Sequence, residues 1–327
     1  MMMRPRIVFG IQSAVHQAGT LAQLATALDG HAIVVHHDFS QQPEFSVEAP
    51  NLVFVEDFVR TGWADWGLTV AIERTLEHAL KHLSFDYFQL LSPVDLPIRP
   101  IAEFEAWVRQ DDADFHNDTI ALDDDELAFM TFAYRAFARE GSIPYRALWR
   151  AREAFFGASY ATTNRAGLSL PLDLPRNAEG RLPLEARAMQ ALTHLYVRAR
   201  RSLPRSLVND VRGPVHVGGM WFGASRRGCE VLLEALRDPA TVARFKPYFC
   251  SGEMLFSTVF RRSGLRVGPT NHIVSPFVGA RPEWLRLDDL DWLASSGKYF
   301  ARKFPDDPDA PVRARILERI GARQPAG

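Results

Sequence analysis

The sequence predicts an α/β protein, a mostly parallel sheet with helices on both faces. Three observations predict it. Apolar runs at 6–11, 32–35, 52–55 and 85–91 have the length of buried strands and are too short for helices. Segments of helical spacing separate them, so strand and helix alternate over the first hundred residues. Two of the runs lead into a carboxylate, Asp38 and Asp95, where open parallel sheets place their ligands.

The elements follow in order. Arg6-Ile7-Val8-Phe9-Gly10-Ile11 reads as a buried strand, and Leu21, Leu24 and Leu28 have helical spacing behind a Thr20 cap. The second run ends in His36-His37-Asp38, and 52–55 is a third strand. Residues 69–82 carry Val70, Ile72, Leu76 and Leu80 on one helical face. The run at 85–91 breaks at Ser92-Pro93-Val94-Asp95, where the carboxylate either caps the turn before Pro97 or faces a ligand. Residues 101–108 read as a helix. Beyond it, Asp111-Asp112-Ala113-Asp114 and Asp123-Asp124-Asp125-Glu126 are acidic and poor in apolar residues. Residues 184–203 place Met189, Leu192, Leu195 and Tyr196 at helical spacing, with Arg198, Arg200 and Arg201 on the other face. That face is either solvated or a landing site for anionic lipid or an acidic acceptor.

Composition bounds the function. The 327 residues are 47% hydrophobic and 24% charged, enough for a large core, and the formal net charge of -1 argues against a general nucleic-acid binder. The two cysteines, Cys229 and Cys250, make neither a disulfide framework nor zinc spacing and point to a reducing compartment. No run approaches the roughly 20 apolar residues of a membrane span. Residues 1–30 carry no signal-like apolar stretch. The expectation is a cytoplasmic protein, with peripheral contact to an anionic inner membrane through the Arg-rich segment.

Three features mark the last third. In Val215-His216-Val217-Gly218-Gly219-Met220-Trp221-Phe222, two glycines split an apolar run and let backbone approach a ligand or a strand. In Gly252-Glu253-Met254-Leu255-Phe256-Ser257-Thr258, one carboxylate opens an apolar helical segment, either as a reactive group or as a complement to the helix dipole. Tyr299-Phe300-Ala301-Arg302-Lys303-Phe304 sets two cations among aromatics, either on an exposed tail helix or in a packed segment.

Taken in register, these pieces resemble the core-2/I-branching β-1,6-N-acetylglucosaminyltransferase and peptide xylosyltransferase family. His36-His37-Asp38 is similar to its His-x-Asp, Asp65-Trp66-Gly67 to its Trp-Gly element, and 85–97 to its Asp-Tyr-Phe strand with Leu-Ser turn, Asp and Pro. Gly218-Gly219-Met220-Trp221 resembles its Gly-x-x-Trp strand, Gly252-Glu253 with Phe256 and Thr258 its Asp-Glu-x-x-Phe-x-Thr segment, and 300–304 its Phe-Ala-Arg-Lys-Phe ending. The region 111–212 is not covered.

The resemblance implies a GT-A-like fold and inverting transfer from a nucleotide sugar, UDP-GlcNAc or UDP-Xyl, to a hydroxyl of a glycan or glycolipid acceptor, with no metal or other cofactor. It implies one domain over 1–327: a nucleotide-sugar-binding half (1–110), a variable Arg-rich helical insertion (111–212) and an acceptor and catalytic half (213–327). Glu253 takes the place of the general base, since a carboxylate in apolar surroundings can be tuned toward working pH. Arg302 and Lys303 would offset the diphosphate charge. His36, Asp38, Trp66, Asp95 and one of Arg281 or Arg286 would meet the donor, and Gly219 and Trp221 would lie near the acceptor or donor sugar. The residue before the base is Gly252 where the family has Asp, and Pro93 stands where it commonly has Gly. The absence of an anchor and of many cysteines suggests a bacterial-type member. Two other readings are a non-catalytic nucleotide-sugar-binding scaffold, and a metal-dependent GT-A enzyme using Asp112 and Asp114.

Overall fold

The computed structural model describes residues 5–121, 138–156, 162–165, 168–171, 187, 191, 195, 215–278 and 281–322. The acidic run at 123–126 and the Arg-rich segment at 184–203, apart from Arg187, Ala191 and Leu195, lie outside them.

The chain opens with β1 (Ile7–Ser13), α1 (Ala18–Ala27), β2 (Ala32–His37), β3 (Leu52–Phe54), α2 (Trp66–His82), β4 (Tyr87–Leu91), β5 (Leu96–Pro97) and α3 (Ile101–Gln110). After these come β6 (Phe115–His116), β7 (Thr119–Ala121), α4 (Ile143–Phe156), β8 (Thr162–Arg165), β9 (Leu168–Pro171), β10 (His216–Gly218) and β11 (Gly223–Ser225). The remainder is α5 (Arg226–Arg237), α6 (Pro239–Phe245), α7 (Gly252–Arg262), β12 (Val267–Gly268), β13 (His272–Val274), β14 (Phe277–Val278), β15 (Arg281–Pro282), α8 (Leu290–Ser295), β16 (Phe300–Arg302) and α9 (Pro311–Arg319).

The main sheet has seven strands in the order β12-β6-β11-β4-β1-β2-β3. All pairings are parallel except those of β11, which runs against both β4 and β6. Strands from both ends of the chain thus share one sheet. The first runs read as near-continuous apolar sequence because helices cover both faces. On one face Val8, Val34, Phe88 and Leu90 pack with Ile72 and Leu76 of α2, Leu232 of α5 and Phe256 of α7. On the other, Ile7, Phe9, Ile11, Ile33 and Val35 pack with Leu21 and Leu24 of α1, Phe104 of α3 and Ile316 of α9. Each such side chain, fully buried, contributes about 1.5–3 kcal/mol.

A second, three-stranded sheet matters most for chemistry. It lays β16 between β13, to which it is parallel, and β5, to which it is antiparallel. The segment 300–304 is therefore a central strand and its exit, with Phe300 and Phe304 both fully buried, and not an exposed tail helix. The pairing brings together the residue before β5, Asp95, the first residue of β13, His272, and the last of β16, Arg302.

Candidate functional site

A cavity of about 510 Å³ opens at the carboxyl ends of β1, β2 and β4, where a parallel sheet leaves its crevice. Gln12, Ser13 and His16 enter it from the end of β1, His36 from β2, Trp221 from the loop before β11, Glu253 from α7, and Arg302 and Lys303 from β16 and its exit.

Glu253 stands in the first turn of α7, where the helix dipole favours its negative charge. Gly252, one residue before, is a close-approach position: a Cβ there would lie 2.9 Å from Met220 Sδ and 3.0 Å from Thr69 Oγ1. An Asp at this position has no room without movement of Met220.

The cationic wall is built on a buried network. Asp95 is fully buried and accepts from Ser92 N–H and from Ser92 Oγ at 2.8 Å; its Oδ1 lies 3.6 Å from Arg302 Nε and 3.5 Å from His272 Nε2. Burial alone would raise the Asp95 pKa, but Arg302, then His272 and Ser92, outweigh it and hold the carboxyl ionised. Burial lowers the pKa of Arg302, against the pull of Asp95. The guanidinium sits 4.0 Å from the Trp221 ring, and its Nε and Nη1 have no hydrogen-bond partner among the described residues. Lys303 places its ammonium 3.9 Å from the Trp284 ring. Its pKa is lowered by burial and then by the neighbouring charges of Arg302 and Arg281. Such a group of cations gains when an anion enters.

On the opposite flank, Gln12 and His36 are register partners on β1 and β2. His36 Nε2 accepts from Val59 N–H at 3.0 Å, so the ring proton sits on Nδ1. Burial lowers its pKa to about 4, keeping the ring neutral. The Nδ1 donor and the Gln12 Oε1 acceptor both lack partners among the described residues.

Several expected contacts are corrected. Asp38 and Asp95 do not line the cavity; both are fully buried behind it. Asp38 accepts from Ser40, Gln41 and the Thr61 N–H and hydroxyl, tying the strand end to the 59–61 loop. Burial opposes its ionisation, and the Ser40, Thr61 and Gln41 donors overcome this and hold its pKa well below the usual range. Trp66 is the first residue of α2 and packs on the core, while Asp65, its N-cap, and Trp63 line the cavity instead. Gly219 turns its carbonyl to Asn117 Nδ2 at 2.9 Å and borders a smaller cavity of about 290 Å³. Neither Arg281 nor Arg286 lines the cavity: Arg281 is exposed and lies close enough to act on Lys303, and Arg286 joins a helical turn through its N–H to Asp289. Asp112 pairs with Arg266 and Asp114 accepts from Ser225 Oγ, away from the cavity. His37 is engaged by Ser13 Oγ and the Gln42 carbonyl. No three His, Cys, Asp or Glu side chains form a metal-holding group among the described residues.

Sequence reasoning missed Gln12, Ser13, His16, Trp63, Trp149 and Phe249. The signal for the first two was the switch from apolar to polar at the end of β1. Trp63 stood in a glycine-containing loop, where a large aromatic has little structural reason to be. Comparison of the chain with family models and with curated proteins found no match. No helix among the described residues is long and apolar enough to cross a membrane.

Proposed function

We propose that the chain is an inverting, metal-independent glycosyltransferase of GT-A-like fold, transferring a sugar from a UDP donor, UDP-GlcNAc or UDP-Xyl, to a hydroxyl of a glycan or glycolipid acceptor. One observation carries the reading: Glu253, a carboxylate, and the cations Arg302 and Lys303 border the same cavity at the carboxyl ends of the parallel strands. In the reaction Glu253 takes the acceptor's hydroxyl proton as the oxygen bonds to the anomeric carbon. The bond from that carbon to the diphosphate breaks, and the electron pair leaves with the β-phosphate. Arg302 and Lys303, with Arg281 nearby, stabilise the charge that develops there, the role a metal has in other transferases. Asp95 keeps Arg302 in place from behind and touches no substrate. His36 offers a neutral N–H and Gln12 an amide oxygen side by side, complementary to a carbonyl and the ring N–H of uracil.

Nucleotide binding tests the reading. A ligand that binds only the native state raises its stability, by about 2.7 kcal/mol at a hundredfold excess over Kd. UDP and one UDP-sugar should raise the melting temperature clearly more than GDP or CDP, with EDTA present. Equal response to all three diphosphates, or to none, contradicts it.

A further inference from the structure

The proposed chemistry uses the polar part of the cavity lining, and an apolar part has a different character. Val15, Trp63, Trp149 and Phe249 line it. Trp63 and Phe249 pack with their rings tilted and centroids 5.5 Å apart, and Trp149 meets Phe249 edge-on at 6.5 Å. Although they border the cavity, Trp63 is 70% exposed and Val15 64% exposed. Trp149 and Phe249 are half-buried and pack with Tyr145 on Ala138, whereas Trp63 and Val15 leave large apolar area open at the mouth, as a binding surface does.

The backbone is shaped to hold them there. Ala64 and Cys250 both have left-handed φ, 62° and 50°, which is costly for residues with a Cβ. Each directly follows one of these paired aromatics, and Cys250 N–H donates to the Ala64 carbonyl at 3.0 Å. The Cys250 carbonyl in turn accepts from Glu253 N–H at 3.3 Å. One strained junction therefore fixes both the aromatic pair and the first turn of α7, which carries the carboxylate.

We propose that this wall binds the hydrocarbon chain of a lipid-linked sugar acceptor, setting its hydroxyl at Glu253 while the chain leaves over Trp63 and Val15. The acceptor role rests on the transferase reading; the binding of a chain does not. The outward-facing Trp63 favours a lipid over a small aromatic aglycone, because an aglycone confined to the cavity leaves the exposed rim unused, and Trp suits a boundary between apolar and wet surroundings.

The test is calorimetric titration of the full chain with methyl, octyl and dodecyl β-D-glucopyranosides below their micelle concentrations, and with the p-nitrophenyl glucoside, with and without UDP. Octyl should bind at least about tenfold more tightly than methyl, a ratio that burial of roughly two methylene groups supplies, and dodecyl more tightly again. Trp63→Ala should reduce the octyl-to-methyl ratio to under about threefold, and Trp63→Phe should keep most of it; circular dichroism matching wild type verifies folding, as expected for a side chain so exposed. Equal affinity for methyl and octyl, with UDP still bound, overturns the proposal and leaves the donor reading intact. A chain-length preference without UDP binding overturns the acceptor role, since the lipid would then meet no donor. A p-nitrophenyl glucoside binding as tightly as octyl, with no further gain for dodecyl, overturns the lipid in favour of an aromatic aglycone.

Discussion

Asp95→Asn separates a carboxylate that supports the site from one that touches ligand. The side chain is fully buried, receives two hydrogen bonds from Ser92 and faces Arg302 and His272 at 3.6 and 3.5 Å. Asparagine keeps the shape but removes the charge, and its amide group must meet either the Ser92 N–H or the guanidinium, donor against donor. Breaking a buried ion pair from one side costs about 3–5 kcal/mol, because the other charge remains. Arg302 keeps 13% of its side chain exposed, so the lower end, about 3 kcal/mol, is expected in urea unfolding at pH 7. The folded pKa of Asp95 lies below its unfolded value. Its stabilisation is therefore complete above about pH 4 and lost as pH falls through the folded value, so wild type and variant should converge in acid. UDP affinity should fall about tenfold or more as Arg302 loses its position. A variant as stable as wild type that no longer binds UDP would refute this account and make Asp95 a ligand contact.

Other outcomes follow from the same geometry. His36, with a folded pKa of about 4 against 6.5 in the unfolded chain, stabilises fully above pH 6.5 and progressively less toward pH 4; wild type should lose about 2 kcal/mol more than His36→Asn between pH 7 and 4.5 in urea titrations. Gly252→Asp forces a side chain against Met220 and Thr69 and should cost about 1–3 kcal/mol by the same method, whereas an unchanged midpoint would mean that the start of α7 has space to spare. Sugar transfer should persist in EDTA; loss of turnover restored by manganese would return attention to Asp112 and Asp114.

The fold was legible where physical causes are local. β1, β2, β4 and α2 could be read because burial leaves apolar runs in the strands and an apolar stripe on the helix, although α2 begins at Trp66, behind its Asp65 cap, three residues before the expected start. Glu253, Trp221, Arg302 and Lys303, singled out in the sequence, line one cavity. Asp38 and Asp95 do not, and the reason is long-range. A carboxylate at a strand mouth turns toward ligand or inward according to which donors arrive behind it, and for Asp95 these are His272 and Arg302 from two much later strands. Trp66 was chosen over Trp63 because Asp65-Trp66-Gly67 resembles a Trp-Gly element, whereas the Ala64–Cys250 contact beside Trp63 joins distant loops.

The central claim is that Glu253 takes the acceptor proton while Lys303 serves the diphosphate. The measurement is steady-state transfer with UDP binding on Glu253→Gln and Lys303→Ala, using the donor that binds wild type. Glu253→Gln should keep UDP affinity and lose turnover by roughly 10²-fold or more. Lys303→Ala should weaken UDP binding and turnover together, because a diphosphate partner acts in ground and transition states alike. Wild-type turnover by Glu253→Gln would contradict the account and leave the carboxylate a helix-end charge.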